Sequence, residues 1–427
     1  MEKEIMENVG INGFFAKVRT LTGKYKRVVD IAFYVSFSFA YFRFFLNTTM
    51  FSIMPVDFSI VEKIYLVVIL VMCAVTGISI IETANWKYAL LVVFVLGSCV
   101  LFYRQSGSTY VFVFFLIVFA AKGKKFDTML KISLIIGCIM MAAAYAASIE
   151  GFIPYLTYGI SYSGQLSHAF GIGYRTDFGA HILYLVMAYV VLRREKLSLA
   201  EYSLLWFCTW VVWRYSGARL NAACLAVFLS CYAIIRGFII WRKCPPRIPR
   251  WTACIHLICG AVMISAVLLY NGELPDKISG IDTNTLKARL MLSREAFDRY
   301  SLSLFGNYVE EQGNGGIGST GKPYFFLDIA YVRMIVIYGL IITVVYLSFM
   351  TFASYKSAKT GQIYILLALA VIAGASMIEH HALESGYNIF LFSMLAINGK
   401  TEKELTTGNR ESECRDNECE RTEKLCV

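Results

Sequence analysis

Apolar runs of near-membrane length recur along most of the chain, separated by short polar gaps. They lie at about 31–51, 62–81, 86–103, 108–121, 129–149, 176–192, 200–213, 219–240, 252–270, 327–350, 362–379 and 385–398. Hydrophobicity within each run is continuous rather than alternating, which favours helix, and about 20 apolar residues cross a bilayer core as a helix. The pattern predicts an all-α, polytopic membrane helix bundle of roughly twelve transmembrane helices. The runs starting at 108, 200 and 385 are the shortest, and no internal repeat is visible.

The polar gaps orient this bundle. Lys17, Arg19, Lys24, Lys26 and Arg27 precede the first run, and "KGKKFDTMLK" (122–131), "RREKLSLAE" (193–201) and "RGFIIWRKCPPRIPR" (236–250) fall in alternate gaps, with Lys356 and Lys359 in another. The positive-inside rule assigns these gaps to the cytoplasm. The expected organisation is a basic cytoplasmic segment over 1–30, a membrane domain over 31–398 and a disordered cytoplasmic tail over 399–427. The first apolar run reads as a retained span, not a cleaved signal. Opposite the basic gaps lies a long outer loop at 271–326. Within it, Leu286, Leu290, Phe297, Leu304 and Phe305 alternate helically with Lys287, Arg289, Arg294 and Arg299, which predicts an amphipathic helix. The "QGNGGIGSTGKP" stretch that follows has the composition of a hinge or lid.

Composition sharpens the class. The 427 residues are 57% hydrophobic and 16% charged, with a mean hydropathy of +0.58, which excludes an ordinary soluble globule. The net charge of +10 follows from the cytoplasmic gaps and does not imply nucleic acid. Most of the 12 cysteines lie in apolar runs, and none falls in an outer gap, so no disulfide framework is expected. The C-x4-C-x6-C spacing of Cys414, Cys419 and Cys426 is a poor zinc pattern, and no metal is expected. Nothing resembles a P-loop, a dinucleotide fingerprint or H-E-x-x-H, so no cofactor is expected either.

The candidate chemistry collects on the outer side. "WRYSGARLN" (213–221) brings Arg214 and Arg219 together across a tight Ser-Gly turn, above a helix N-terminus. Two guanidiniums there suit an anion, although snorkelling to lipid phosphates is the alternative. Arg175 and Asp177 open one span with His181 a turn below, Asp328 and Arg333 open another, and Arg43 lies in the outer half of the first. "IEHHALESGYN" supplies Glu379, His380, His381, Glu384 and Asn388, the last two at i, i+4. Ionisable groups in spans are costly, so these are functional candidates or mutual pairs, such as Arg43 or Arg333 with Asp328 or Glu379.

Four stretches, "LSHAFGIGYRTDFGAHILYL", "YSGARLNAACLAVFL", "SREAFDRYSLSLFGN" with "FFLDIAYVRMIVIYGLI", and "HHALESGYNIFLFSMLA", resemble in order the Wzy-type O-antigen and capsular repeat-unit polymerases, relatives of the O-antigen ligases. The resemblance implies a bacterial cytoplasmic-membrane enzyme that needs neither metal nor nucleotide sugar. Such an enzyme transfers a growing glycan from undecaprenyl pyrophosphate to a hydroxyl of an incoming lipid-linked oligosaccharide unit. Membrane lipids, a flippase and a chain-length regulator are the implied partners. The expected roles are Arg214 and Arg219 on the pyrophosphate, with Arg289 and Arg294 closing over it. His380 or His381 is the expected base, oriented by Glu379 or Glu384, and Arg175, Asp328 and Arg333 complete the substrate-facing set. A glycan ligase shares this architecture, while a flippase or transporter would carry charges at the midplane on broken helices in two similar halves. A non-catalytic membrane scaffold would tolerate loss of the outer arginines.

Overall fold

The computed structural model describes residues 2–396 apart from 55–56, 161–163, 244–245, 247, 275–276, 279–280, 283, 314 and 316–322, with backbone alone over 2–19, 21–22, 160, 277–278 and 281–282. The 399–427 tail, Cys244 and most of the glycine-rich stretch at 312–323 lie outside the described residues. The fold is helical, and its only sheets among the described residues are two two-stranded hairpins. The helices are α1 (Glu2–Leu46), α2 (Ser59–Thr83), α3 (Trp86–Ser106), α4 (Tyr110–Ala120), α5 (Phe126–Ile149), α6 (Arg175–Arg193), α7 (Leu199–Val211), α8 (Arg219–Arg242), α9 (Ile255–Leu269), α10 (Asn284–Arg299), α11 (Ala330–Arg333), α12 (Gly339–Lys359) and α13 (Ile363–Ala375). Strands β1 (Thr157–Ile160) and β2 (Leu166–His168) pair antiparallel before α6.

Among the described residues, eight helices are long and apolar enough to cross a membrane. The remaining predicted spans differ. Helices α4 and α13 are only 11 and 13 residues long, about 17 and 20 Å at 1.5 Å per residue, against a hydrocarbon core of about 30 Å. The run at 385–398 is not an α-helix over its described part; it holds turns and a 3-10 segment at Ile389–Ser393. Asn388 therefore shares no helix face with Glu384. It caps the 3-10 turn instead, its side chain accepting from Phe390 N at 3.1 Å.

Burial explains the short helices. Nine residues of α4 are buried, as expected of a helix that is apolar all round and sits inside a bundle. Helix α13 packs among α6, α8, α9 and α12, and α4 packs against α2 and α3. Leu66, Leu70, Leu90, Val93 and Ile234 are exposed on the longer outer helices, where lipid takes the place of a partner. At one end of the bundle the short helices give way to turns that carry charged side chains.

The basic gaps meet at the opposite end. Lys122 donates to Thr83 Oγ1 at 2.6 Å, Lys124 pairs with Asp30 at 2.5 Å, and Arg194 reaches Asp127 at 3.3 Å. Lys356 Nζ donates to Ala396 O at 2.6 Å, which ties the end of the described chain to this basic end.

The long segment between α9 and α11 is built as expected only in its first part. Helix α10 ends at Arg299, and Ser301–Asn307 then runs irregularly across a break in the following span. A π-turn at Met334–Tyr338 and Gly339 interrupt that span, freeing backbone groups that the crossing segment satisfies. Asn307 N donates to Ile337 O at 3.1 Å, while Leu340 N and Ile341 N donate to Ser303 O and Leu304 O at 3.0 and 3.2 Å. Gly306 and Gly339 both have positive φ, 86° and 89°, and their backbones touch, so a Cβ on either would strike the other strand. Gly306→Ala and Gly339→Ala should each cost roughly 2 kcal/mol or more, from left-handed strain plus overlap. Thermal unfolding in detergent measures this; an unchanged midpoint for both would mean the break is not held by these glycines.

Candidate functional site

The chain between α13 and Asn388 carries a charged turn at one end of the bundle. Helix α13 stops at Ala375, and Ser376 O accepts from Ala330 N at 3.1 Å, which joins this turn to the start of α11. Asn388 Nδ2 donates to Ala382 O at 2.9 Å, and Tyr110, at the head of α4, hydrogen-bonds the hydroxyl of Ser385 at 3.2 Å. The Glu379–Glu384 turn thus rests on the ends of the two short helices.

Around it the charged groups converge. Glu384 bridges both histidines, with Oε1 3.5 Å from His380 Nε2 and Oε2 3.1 Å from His381 Nδ1. His381 Nε2 faces Asp177 Oδ1 from α6 at 3.6 Å, and His380 Nδ1 faces Asp328 Oδ1 at 3.8 Å. Arg289 from α10 reaches Asp328 Oδ2 at 3.2 Å. Arg333 pairs with Glu311 at 2.5 Å, at 13% and 16% side-chain exposure. Glu379, 6% exposed, accepts from Asn221 Nδ2 at 2.9 Å and has no ion pair among the described residues. In the turn joining α13 to the last segment, burial alone would raise Glu384 and lower His381. The charges of His380 and His381 hold Glu384 well below the usual carboxylate range instead. The Glu384 hydrogen bond and charge, then Asp177 and Glu379, hold His381 above its ordinary value.

A ladder of six rings fixes the imidazoles. Phe45 stacks on His181 at 4.0 Å between ring centres, and His181 stacks on Tyr387 at 4.1 Å. Tyr387 meets His381 at 4.1 Å, His381 meets His380 at 4.1 Å, and Phe326 closes the ladder edge-on to His380 at 4.9 Å. His181 is held by Thr48 Oγ1, in the turn just past α1, at 2.7 Å. Parts of the chain some 340 residues apart therefore orient one set of rings.

The arginine hairpin borders this cluster. Ser216 Oγ donates to Arg175 O at 2.6 Å, and Asn221 Nδ2 to Thr176 O at 3.1 Å. This close approach requires Gly179, where a Cβ would overlap that of Ala218. The turn is a π-turn over Val212–Ser216 closed by Gly217. Arg214 lies with its guanidinium 5.9 Å from the Tyr215 ring, and Arg219 begins α8. Arg175 Nη1 donates to Ser167 Oγ in β2 at 3.1 Å, while its buried Nε has no hydrogen-bond partner.

Of the candidate residues, the structure brings Glu379, His380, His381, Glu384, Asp328, Arg289 and Arg333 into one network, with Arg175, Arg214 and Arg219 on its flank. Arg294 is directed elsewhere, donating to Leu268 O at 2.8 Å and pairing with Asp298 at 3.5 Å. Two pairings differ from the sequence expectation: Arg333 takes Glu311, and Arg43 takes Glu62 at 2.5 Å. Sequence reasoning missed Glu311, Asn221, Tyr387, Phe45 and Phe326 as parts of the site. Glu311 stands in polar loop sequence, and the others look like ordinary capping or core residues. Asp177, one of the outer-face candidates to which the sequence reading gave no role, faces His381 in this network.

Chemically the cluster offers a buried carboxylate, two imidazoles within carboxylate reach, and ligand atoms of Asp177, His380 and His381 lying within 4.8 Å of one another, close enough to hold a metal ion. The Arg333–Glu311 pair should be strongly coupled. Arg333→Gln or Glu311→Gln alone should cost about 3–5 kcal/mol by leaving a buried charge unpaired. The double variant should cost clearly less than their sum, and strictly additive losses in a double-mutant unfolding cycle would deny the coupling.

No family model matches the chain, and no curated protein or solved structure matches it.

Proposed function

We propose that this chain polymerises undecaprenyl-pyrophosphate-linked oligosaccharide repeat units at the outer face of a bacterial cytoplasmic membrane. On this reading the charged cluster faces outward, both termini are cytoplasmic, and about twelve segments cross: the eight long helices, α4, α7, α13 and the irregular last segment. A flippase and a chain-length regulator would act beside it.

The observation that carries the reading is the cluster of charged groups at one end of the bundle. Glu379 lies buried there, hydrogen-bonded to Asn221 of α8, beside the turn that carries Arg214 and leads into Arg219, with Arg175 joined to that turn through Ser216. In the reaction, the hydroxyl oxygen of the incoming unit bonds to the anomeric carbon of the growing chain. The carbon–oxygen bond to the diphosphate breaks, and its electron pair leaves with the diphosphate. Arg214, Arg219 and Arg175 stabilise that leaving charge. The hydroxyl proton passes to Glu379, which burial makes a better proton acceptor than an exposed carboxylate. Arg289 ties α10 to the cluster through Asp328, and the histidines with Glu384 and Asp177 form the charged frame. A glycan ligase would use the same chemistry on a different acceptor.

The broken span at Gly339, beside buried charges, favours a second reading: a transporter for lipid-linked units. One experiment separates the two. Purified full-length protein in proteoliposomes receives lipid-linked repeat units, and glycan size and transbilayer movement are both followed. A ladder of lengthening glycan is expected, reduced at least about a hundredfold by Glu379→Gln, Arg214→Ala and Arg219→Ala. Movement without chain growth would replace polymerisation with transport, and a ladder unchanged in all three variants would remove these residues from the mechanism.

A further inference from the structure

We propose that Asp177, His380 and His381 form a binding site for one divalent transition-metal cation, of the zinc or manganese kind, within the charged cluster. This goes beyond the polymerase reading and departs from the metal-free chemistry that the family resemblance implies. It does not need that reading to hold, because binding is measured without turnover.

The first observation is geometric. Ligand atoms of the three residues lie within 4.8 Å of one another. His381 Nε2 and Asp177 Oδ1 are 3.6 Å apart, too far for a good hydrogen bond. Two ligands at roughly 2.1 Å from a tetrahedral cation stand about 3.4 Å apart, close to that separation.

The second observation is independent of the cluster's composition. His381 is 2% exposed, and its Nε2 is buried without a hydrogen-bond partner. A buried ring nitrogen left unsatisfied is costly unless something binds it. Its other nitrogen is fixed by Glu384 Oε2 at 3.1 Å, the carboxylate–histidine arrangement that aims an imidazole at a metal. His380 repeats the pattern, since whichever nitrogen binds the cation leaves the other facing Asp328 or Glu384.

Charge supplies the third argument. Among the described residues, the ion pairs of Asp177, Glu311, Asp328 and Glu384 are made with two guanidiniums, Arg289 and Arg333, and the two imidazoles, while Glu379 accepts from Asn221. With the imidazoles acting as neutral ligands, carboxylates would outnumber guanidiniums in the cluster, and a cation would offset them. A divalent ion on two imidazoles and a carboxylate supplies that charge, and three protein ligands leave further positions open.

The test uses the full-length protein purified in detergent, stripped of metal, exposed to Zn²⁺ and in parallel to Mn²⁺, and freed of excess ion. Metal content is read by mass spectrometry and affinity by titration calorimetry. Zinc held by tail cysteines is common to all variants, so the difference between proteins is what counts. The wild type should retain one equivalent of at least one ion more than Asp177→Asn, His380→Gln and His381→Gln. Glu384→Gln should retain that ion with affinity weakened about 10–100-fold, and His168→Gln in β2, outside both the ligand set and the ring ladder, should match the wild type. Gel filtration and thermal melting identify any misfolded variant, and the folded ones decide. Equal content of both ions in the wild type and the folded ligand variants overturns the site. Failure of chain growth with this zinc or manganese difference intact would instead count against the polymerase reading.

Discussion

Ionised side chains inside an apolar bundle must neutralise one another, and this constraint organises the site end of the molecule. Charge in hydrocarbon is costly whichever side chain carries it. Glu384 therefore takes both histidines, Asp328 takes Arg289 and faces His380, and Arg333 takes Glu311. Each partner comes from a different part of the chain: the α13 turn, α10, the start of α11 and the loop before it. Pairing therefore acts as a long-range specification. It draws segments remote in sequence to one point, where hydrophobic packing alone would tolerate sliding.

The short helices bring that point into the protein interior. Helices α4 and α13 end after 11 and 13 residues, and the turn that follows α13 holds the buried Glu379 and His381. In that buried setting electrostatic interactions strengthen as water is excluded. The ring ladder then prevents rotation of the imidazoles, so the site is organised before any ligand arrives. Bundle architecture and site chemistry are thus one feature seen at two scales.

The sequence made the bundle legible because continuous apolar runs and gap charges are local signals. It also made the main charged residues of the site legible, since an ionisable residue in a span is rare enough to notice. Partner choice was not legible. Arg333 stands close in sequence to Asp328, yet it pairs with Glu311, which a loop delivers from outside the span. Nor was the last segment: 385–396 is as apolar as a helix, but Asn388 and the turn before it set a 3-10 path. The ladder was invisible for a different reason. Phe45, Tyr387 and Phe326 resemble core aromatics, and only the folded chain shows that they grip histidines.

The arginines divide into two kinds, and the division has a consequence for any anionic ligand. Arg289 and Arg333 are bound to carboxylates, and Arg294 is turned to α9 and Asp298. Arg175, Arg214 and Arg219 lie where α6 and α8 begin, two helices whose N-termini point the same way and are joined by Ser216 and Asn221. The positive dipole ends of both helices lie there with the guanidiniums. On the proposed reading, an anionic ligand would meet this positive flank with the carboxylates of the cluster beside it. Its phosphates would then lie at the hairpin and its hydroxyls toward Glu379, because the reverse placement would set phosphate against carboxylate.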